Sequence, residues 1–202
     1  MHQLLYAGVV GPLLFIAVLL IAGATRRDYS PWRHFGSQLA LGPGGWVQVA
    51  NFLVCGSLVL LFAIGLGTRA LAASILFGVF GVLLLVAGIF KTDPVLGYPP
   101  GASEAQTREG TIHAIAGVLA FVLLPITCFV TAWQLAAEAG SGGWVAYSIV
   151  VGLVVLAAFF GAGASMAMVQ AGRLRNPMPG LFQRIAIIAG WTWISAIARH
   201  FL

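Results

Sequence analysis

Long apolar runs without a single charge constrain this chain more than any other feature. Several exceed about 18 residues, a length typical of membrane-spanning helices, and charged residues make up only 7% of the chain. The runs are continuously apolar and do not alternate with polar residues, so helices are predicted rather than the strands of a barrel. The sequence therefore predicts an all-α, polytopic integral membrane protein.

Six spans are predicted, with no separate soluble domain. They form one six-helix transmembrane domain over residues 1–202 and cover residues 4–23, 46–66, 70–90, 111–133, 144–169 and 181–198. Only a tight turn separates spans two and three, which favours an antiparallel hairpin. The sixth span is short between Arg184 and Arg199, so a buried or interfacial amphipathic helix is the alternative there.

The distribution of basic residues predicts how the chain is oriented. With six alternating spans, eight of the ten Lys and Arg residues lie at the odd-numbered loops, and only Arg69 and Arg199 lie on the other side. By the positive-inside rule, the odd loops are cytoplasmic and both termini lie outside. These topogenic residues account for the net charge of +5, so no nucleic-acid partner is expected.

Cofactor motifs are missing from the sequence. Cys55 and Cys128 lie inside apolar runs and are expected to be packing residues, so neither a disulfide nor a four-ligand zinc site is indicated. No HExxH, CxxC, Walker or GxSxG motif occurs. Neither a metal nor another cofactor is expected.

Ionisable side chains concentrate in one segment, residues 90–117, which reads FKTDPVLGYPPGASEAQTREGTIHAIAG. Asp93, Glu109 and His113 are the candidate catalytic residues, and Glu109 and His113 are four apart on one helix face. Each has a structural alternative. Asp93 precedes a proline as turn residues do, Glu109 would cap a helix N-terminus, and His113 would fasten two helices.

Five further residues are candidates for substrate binding. Gln48, Asn51 and Cys55 share one face of the second span, where Asn51 needs a partner or serves as interhelical glue. Because the odd loops share a side, a loop serine and the arginine opening span six are expected near the catalytic candidates. Trp191 and Trp193 are expected to belong to packing or to an interfacial belt, with an aromatic pocket wall as the alternative. The predicted substrate-binding set is Ser37, Asn51, Trp46, Arg184 and Trp191.

Three stretches carry a family resemblance. YSPWRHFGSQLALGPGGWVQVANF, GIFKTDP and TREGTIHAIAG resemble the bacterial six-span membrane family known as domain of unknown function 998. The resemblance covers nearly the whole chain and marks Ser37, Asp93, Gly110 and His113 as family-pattern positions. It implies a bacterial cytoplasmic (inner) membrane and a distant similarity to eukaryotic six-span proteins linked to lipid remodelling. Those relatives place the first loop on the non-cytoplasmic side, whereas the charge count places it inside.

Three functions fit these observations. The first is an intramembrane enzyme acting on a lipid or isoprenoid, in which Asp93, paired with His113, is a general acid that initiates cyclisation and aromatic rings steady the cation. The alternative is a non-enzymatic lipid-binding or regulatory protein that holds a headgroup against Arg108, Arg175 or Arg184. A proton-coupled carrier is less favoured, because no span has an ionisable residue near its midpoint.

Overall fold

The structure is a computed structural model that describes residues 2–202. Its α-helices are α1 (His2–Thr25), α2 (Trp46–Leu66), α3 (Leu71–Ile89), α4 (Arg108–Leu135), α5 (Gly142–Gln170) and α6 (Pro179–His200). Two 3-10 turns, Gly36–Ala40 and Gly67–Ala70, lie between helices. Residues 2–202 contain no β-strand, only an isolated bridge between Val95 and Tyr98. The all-α fold class is thus confirmed.

The described residues contain five helical segments long and apolar enough to cross a membrane, not the six predicted spans. The difference arises because the turn at Gly67–Ala70 is itself helical, so Trp46–Ile89 forms one segment of 44 residues. Within it α2 and α3 fold back on each other. The Ser74 hydroxyl donates to Ala63 O (2.6 Å), and farther along a Cβ at Gly56 would lie 3.0 Å from Gly81 O.

The six α-helices form a closed ring. Each helix packs against the next one in the chain, and α6 packs against α1. Small residues allow close approach at several of these contacts, as is common between membrane helices. Aromatic side chains fill the middle of the ring, where Phe15 and Phe80 contact the indole of Trp191 at centroid distances of 5.2 and 5.0 Å.

Three loops meet at one end of the ring, called here the loop end (residues 26–45, 90–107 and 171–178). The Gln38 side chain donates from Nε2 to Val95 O (2.7 Å) and Tyr98 O (3.2 Å), which joins the first loop to the second. The Gly36 amide donates to Gln183 Oε1 (2.6 Å), which joins the first loop to α6. The polar candidates of the odd loops therefore share one end of the molecule.

The opposite end collects the remaining turns and the last residues of α6. Arg69 donates to Phe201 O (3.4 Å), and the His200 ring lies 3.5 Å from the Glu138 carboxylate. Among residues 2–202, Arg69 and Arg199 are the Lys and Arg residues at this end, and the other eight of the ten lie at or beside the loop end. The charge asymmetry inferred from the sequence is therefore present in three dimensions.

Candidate functional site

Asp93 is tied to the first turn of α4. Its Oδ2 accepts a hydrogen bond from the Thr107 amide (2.8 Å), and its Oδ1 accepts one from the Thr107 hydroxyl (2.6 Å). Thr107 is also the N-cap of α4, because its Oγ1 accepts from the Gly110 amide (2.9 Å). Both carboxylate oxygens are thus acceptors near the positive end of a helix dipole, a setting that suits an anion. This contact anchors the second loop to α4.

His113 joins α4 to the end of α3. Its Nδ1 lies 2.9 Å from both Ala87 O and Phe90 O, so Nδ1 carries the proton and donates to the two carbonyls. Nε2 then carries a lone pair, and it has no hydrogen-bond partner among residues 2–202. His113 and Asp93 make no hydrogen bond to each other. The imidazole fastens two helices through one nitrogen and presents the other as an acceptor.

Glu109 lies in the first turn of α4 and is exposed. It lines neither of the two cavities described below, and its side chain makes no hydrogen bond within residues 2–202. Its position matches that of an acidic residue interacting with a helix N-terminus.

Arg184 is buried, with 6% of its surface exposed. Its guanidinium donates to Pro31 O (2.5 Å), His34 O (3.1 Å) and Gly180 O (3.1 Å), and also to the Tyr29 hydroxyl. These acceptors compensate for removing the charge from water. Arg184 therefore holds the first loop against α6, and both of its terminal guanidinium nitrogens already have partners within the protein.

Two titratable side chains of the first loop are perturbed by burial. Burial raises the pKa of the Tyr29 hydroxyl, which remains protonated and can donate to Phe35 O (3.0 Å). Burial lowers the pKa of His34, whose Nδ1 accepts from the Ser30 amide (3.0 Å). The His34 ring packs against Tyr98 with centroids 5.1 Å apart. A neutral His34 is thus part of the contact between the first two loops.

Of the other four predicted binding residues, three face the interior of the helix ring and one faces outward. Asn51 is buried and donates to Phe15 O (3.2 Å), so it links α2 to α1. Trp46 begins α2 and is 74% exposed on the outside of the ring, where a tryptophan suits a membrane interface. Ser37 and Trp191 face the interior of the helix ring, and both line a small cavity at its centre, which is described below.

A cleft of about 1100 Å³ opens between α4 and α5 near the loop end. The two helices touch farther away, where a Cβ at Gly152 would meet the Phe129 ring at 2.6 Å. Nearer the loop end, Gly117 and Gly163 stand on opposite walls, and a Cβ on either would have no neighbour within 4 Å. The helices are therefore separated at this level.

The cleft has an apolar wall and a polar end. Side chains of α4 and α5 form its apolar wall: Val118, Phe121, Phe159, Phe160 and Met166. The polar end consists of residues of the second loop and the first turns of α4: Thr92, Asp93, Glu104, Gln106 and Thr111. Among the described residues that line it, none is Lys or Arg. The cleft is therefore amphipathic, with carboxylates at its polar end.

A second cavity of about 50 Å³ lies at the centre of the ring. Trp191 and Gln48 line it and are 2% and 1% exposed. Indole Nε1 of Trp191 and amide Nε2 of Gln48 have no hydrogen-bond partner among residues 2–202. Five residues line both this cavity and the cleft: Ser37, His113, Gly117, Phe121 and Gln183. The cavities thus meet around the imidazole of His113.

Sequence reasoning missed two residues of this site. For Gln48 a signal exists in the sequence, because it shares a helix face with Asn51, and this shared face predicts that Gln48 points inward. Gln183 carried no such signal, because its neighbours in the sequence include the charged Arg184 and its contact with Gly36 spans 147 positions. Within residues 2–202, no group of three His, Cys, Asp or Glu side chains is arranged to hold a metal ion.

Comparison with known proteins gives one match. A family model described as "Protein of unknown function (DUF998)" matches residues 9–200, nearly the whole chain. Neither the curated proteins nor the solved structures that were compared gave a match. The distant similarity to lipid-remodelling six-span proteins stays a prediction.

Proposed function

The chain belongs to the DUF998 family, a family of unknown function, and from the geometry of its site we propose that it binds a membrane amphiphile in the cleft between α4 and α5. The observation that carries this proposal is the amphipathic lining of the cleft. Its volume of about 1100 Å³ is slightly above the usual range for ligand pockets, about 300–1,000 Å³. An apolar chain fits against the phenylalanines and Met166, and a headgroup fits at the polar end.

The charges of the cleft restrict the headgroup. Asp93 and Glu104 line the polar end, and no basic residue lines it among those described. Arg184, predicted to hold a headgroup, is occupied by three carbonyls and a hydroxyl. An anionic headgroup would meet two carboxylates without a compensating cation, which is unfavourable. The proposed ligand is therefore an uncharged or cationic lipid or isoprenoid and not an anionic one.

The proposal also places the protein in the membrane. Several apolar helices make it a multi-pass membrane protein, and we assign one crossing to each of α2 and α3, giving six in all. Eight basic residues at the loop end favour a cytoplasmic loop end, with both termini outside, in a bacterial cytoplasmic membrane. A periplasm-dependent reporter fused to the C-terminus tests the orientation. An inactive reporter on an expressed fusion would contradict it.

A second candidate function is catalysis on the bound amphiphile. The observation that favours it is Nε2 of His113, an acceptor without a protein partner where the two cavities meet. Such a nitrogen is suited to take a proton from a ligand. Acid-initiated cyclisation with Asp93 as general acid has less support, because both Asp93 oxygens accept hydrogen bonds from Thr107. Catalysis would need Nε2, whereas binding alone would not.

Gly163→Leu tests binding in the cleft. The Cβ of the new side chain would enter the cleft without a clash, because nothing lies within 4 Å of a Cβ at this position, and the rest of the side chain would take up space beside the apolar wall. Lipid extracted from the washed, purified protein is identified and quantified by mass spectrometry. We expect the wild type to retain an amphiphile and Gly163→Leu to lose most of it.

The matched control is Gly143→Leu. Gly143 lies in the same helix with equally open space around it, but it does not line the cleft. This control is expected to retain lipid at the wild-type level. Equal retention by Gly163→Leu and Gly143→Leu, or no specific lipid on the wild type, would contradict the proposed function.

A further inference from the structure

The two unpartnered donors at the centre of the ring need an explanation. Trp191 Nε1 and Gln48 Nε2 come from different helices, α6 and α2, and both side chains are more than nine-tenths buried. Leaving a buried N–H without an acceptor is unfavourable, because the group has lost its hydrogen bond to water. Both groups belong to side chains that line one cavity, so an acceptor bound in this cavity is the arrangement to test.

The position of each donor is fixed by its surroundings. The indole of Trp191 lies between Phe15 and Phe80, with centroids 5.2 and 5.0 Å away. The Gln48 amide is oriented by its own oxygen, which accepts from Asn51 Nδ2 at 3.4 Å. The Gln48 Nε2 donor then points away from that contact. Both side chains are held by protein contacts and line the same cavity, and their donors have no partner within residues 2–202.

The cavity contains polar groups but no charges. Its lining includes Ser37, His113 and Gln183, and no Asp, Glu, Lys or Arg among the described residues. A carboxylate or phosphate placed here would be buried without a counter-charge, which is strongly unfavourable. Nε2 of His113 is an acceptor that can receive a hydrogen bond from a ligand hydroxyl. The site therefore fits an uncharged oxygen better than an anion.

We infer that the central cavity binds an uncharged oxygen-bearing group, a hydroxyl or a carbonyl, that belongs to the amphiphile in the cleft. This inference rests on the proposed function, because the ligand enters where the two cavities share Ser37, His113 and Gln183. The ligand's oxygen accepts from Trp191 Nε1 and Gln48 Nε2. If it is a hydroxyl, its proton is donated to His113. The ligand class is then an uncharged long-chain alcohol or an ester of similar shape.

Ordered water is the competing occupant. A cavity of about 50 Å³ is larger than the roughly 10–15 Å³ that one water needs, and the donors around it suit water as well. The two occupants differ in one respect. Water would stay in the central cavity when a hydrocarbon without oxygen occupies the cleft, so the environment of the Trp191 and Gln48 donors would not change. A ligand oxygen would change that environment only when an oxygen-bearing ligand is bound.

Nuclear magnetic resonance of the indole N–H groups separates these cases. The protein has six tryptophans, so the indole region of a ¹⁵N–¹H spectrum is simple, and Trp191→Phe identifies the Trp191 signal. The protein in detergent is titrated with oleyl alcohol, octadec-9-ene or oleate. We expect oleyl alcohol to shift the Trp191 signal, and octadec-9-ene and oleate to leave it unchanged. An unchanged signal under saturating oleyl alcohol, or the same shift with octadec-9-ene, would overturn the inference.

Binding affinities of the variants provide an independent test. Trp191→Phe and Gln48→Met each remove a donor and keep most of the side-chain volume, and each is expected to weaken oleyl alcohol binding up to about tenfold. Neither is expected to change octadec-9-ene binding. Trp46→Phe, at an exposed position outside both cavities, is the control and is expected to bind like the wild type. Wild-type affinity of both donor variants for the alcohol would also overturn the inference.

Failure of the inference and failure of the proposed function give different results. If Gly163→Leu abolishes binding while the donor variants do not affect it, the chain occupies the cleft but its oxygen does not reach the central cavity. If Gly163→Leu also binds like the wild type, the cleft itself is not the binding site. The first result contradicts only the central cavity inference, and the second contradicts both.

Discussion

The carboxylate of Asp93 lies directly against the backbone of Gly110, so that a Cβ built on Gly110 would overlap both carboxylate oxygens and their carbon. This contact places Asp93 over the first turn of α4, next to the cleft. It also explains why a residue without a side chain is needed at position 110, since its backbone approaches another group closely.

Gly110→Ala is expected to be destabilising. The added methyl group would displace the Asp93 carboxylate from Thr107, and overpacking of this kind typically costs about 1–3 kcal/mol. Gly117→Ala is the control in the same helix, because a Cβ there has no neighbour within 4 Å. In thermal unfolding of the purified proteins, Gly110→Ala should melt several degrees below the wild type and Gly117→Ala at or above it. Equal melting temperatures would contradict the contact.

Asp93→Asn is expected to lose one of two hydrogen bonds. Thr107 presents an amide N–H and a hydroxyl to the two carboxylate oxygens, and an asparagine can accept only one of them through its oxygen. The loss should be on the order of 1–2 kcal/mol. Thr107→Ala should destabilise by about 1 kcal/mol through loss of the N-cap. A double-mutant cycle should show the two effects to be coupled, and additive effects would contradict the shared contact.

His113→Asn separates the structural and chemical roles of His113. The asparagine amide can donate from a position near that of Nδ1, so the links to Ala87 O and Phe90 O should be partly retained. His113→Leu lacks a donor and leaves those buried carbonyls with fewer partners, so it should be less stable than His113→Asn by about 1–3 kcal/mol. Thermal unfolding compares the two variants. If they are equally stable, the imidazole does not fasten the helices.

The packing of the first loop is expected to weaken in acid. The pKa of His34 is lowered by burial, so the folded state binds this proton less readily than the unfolded state, whose value is near 6.5. The contribution to stability is therefore complete above about pH 6.5 and falls as the pH drops through the lowered value. His34→Asn, which keeps an acceptor for Ser30 N, should show a smaller loss in melting temperature between pH 7.5 and pH 5. An identical loss in both proteins would contradict this role.

Much of the fold follows from the sequence because the bilayer limits the solutions. A charge-free run must form a helix that satisfies its own backbone, and α5 (Gly142–Gln170) accordingly differs from the predicted span 144–169 by at most two residues at each end. The common location of the odd-numbered loops follows because successive spans run in opposite directions. The number of candidate segments is five and not the predicted six, because a helical turn joins α2 to α3 and the sequence pattern does not show that this turn is helical.

The site was less predictable, because its contacts join residues far apart in the chain. The partners of Arg184 include Pro31, 153 positions away, and sequence patterns do not reveal that carbonyls of another loop will surround a charge. The angular position of Trp46 on the helix was sufficient to predict that its side chain points outward. At about 100° per residue it lies about 200° from Gln48, opposite the face that points inward. The tryptophan inside the ring is instead Trp191, at 2% exposure.

Photo-crosslinking tests binding in the cleft most directly. Purified protein in lipid vesicles is irradiated with an oleyl alcohol that carries a diazirine in the middle of its chain, and the modified residues are located by mass spectrometry. We expect adducts on the walls of the cleft, at Val118, Phe121 and Phe160, that disappear when excess oleyl alcohol competes. Adducts spread evenly over outward-facing residues such as Ile64 and Ile75, with no competition by the alcohol, would contradict the proposal.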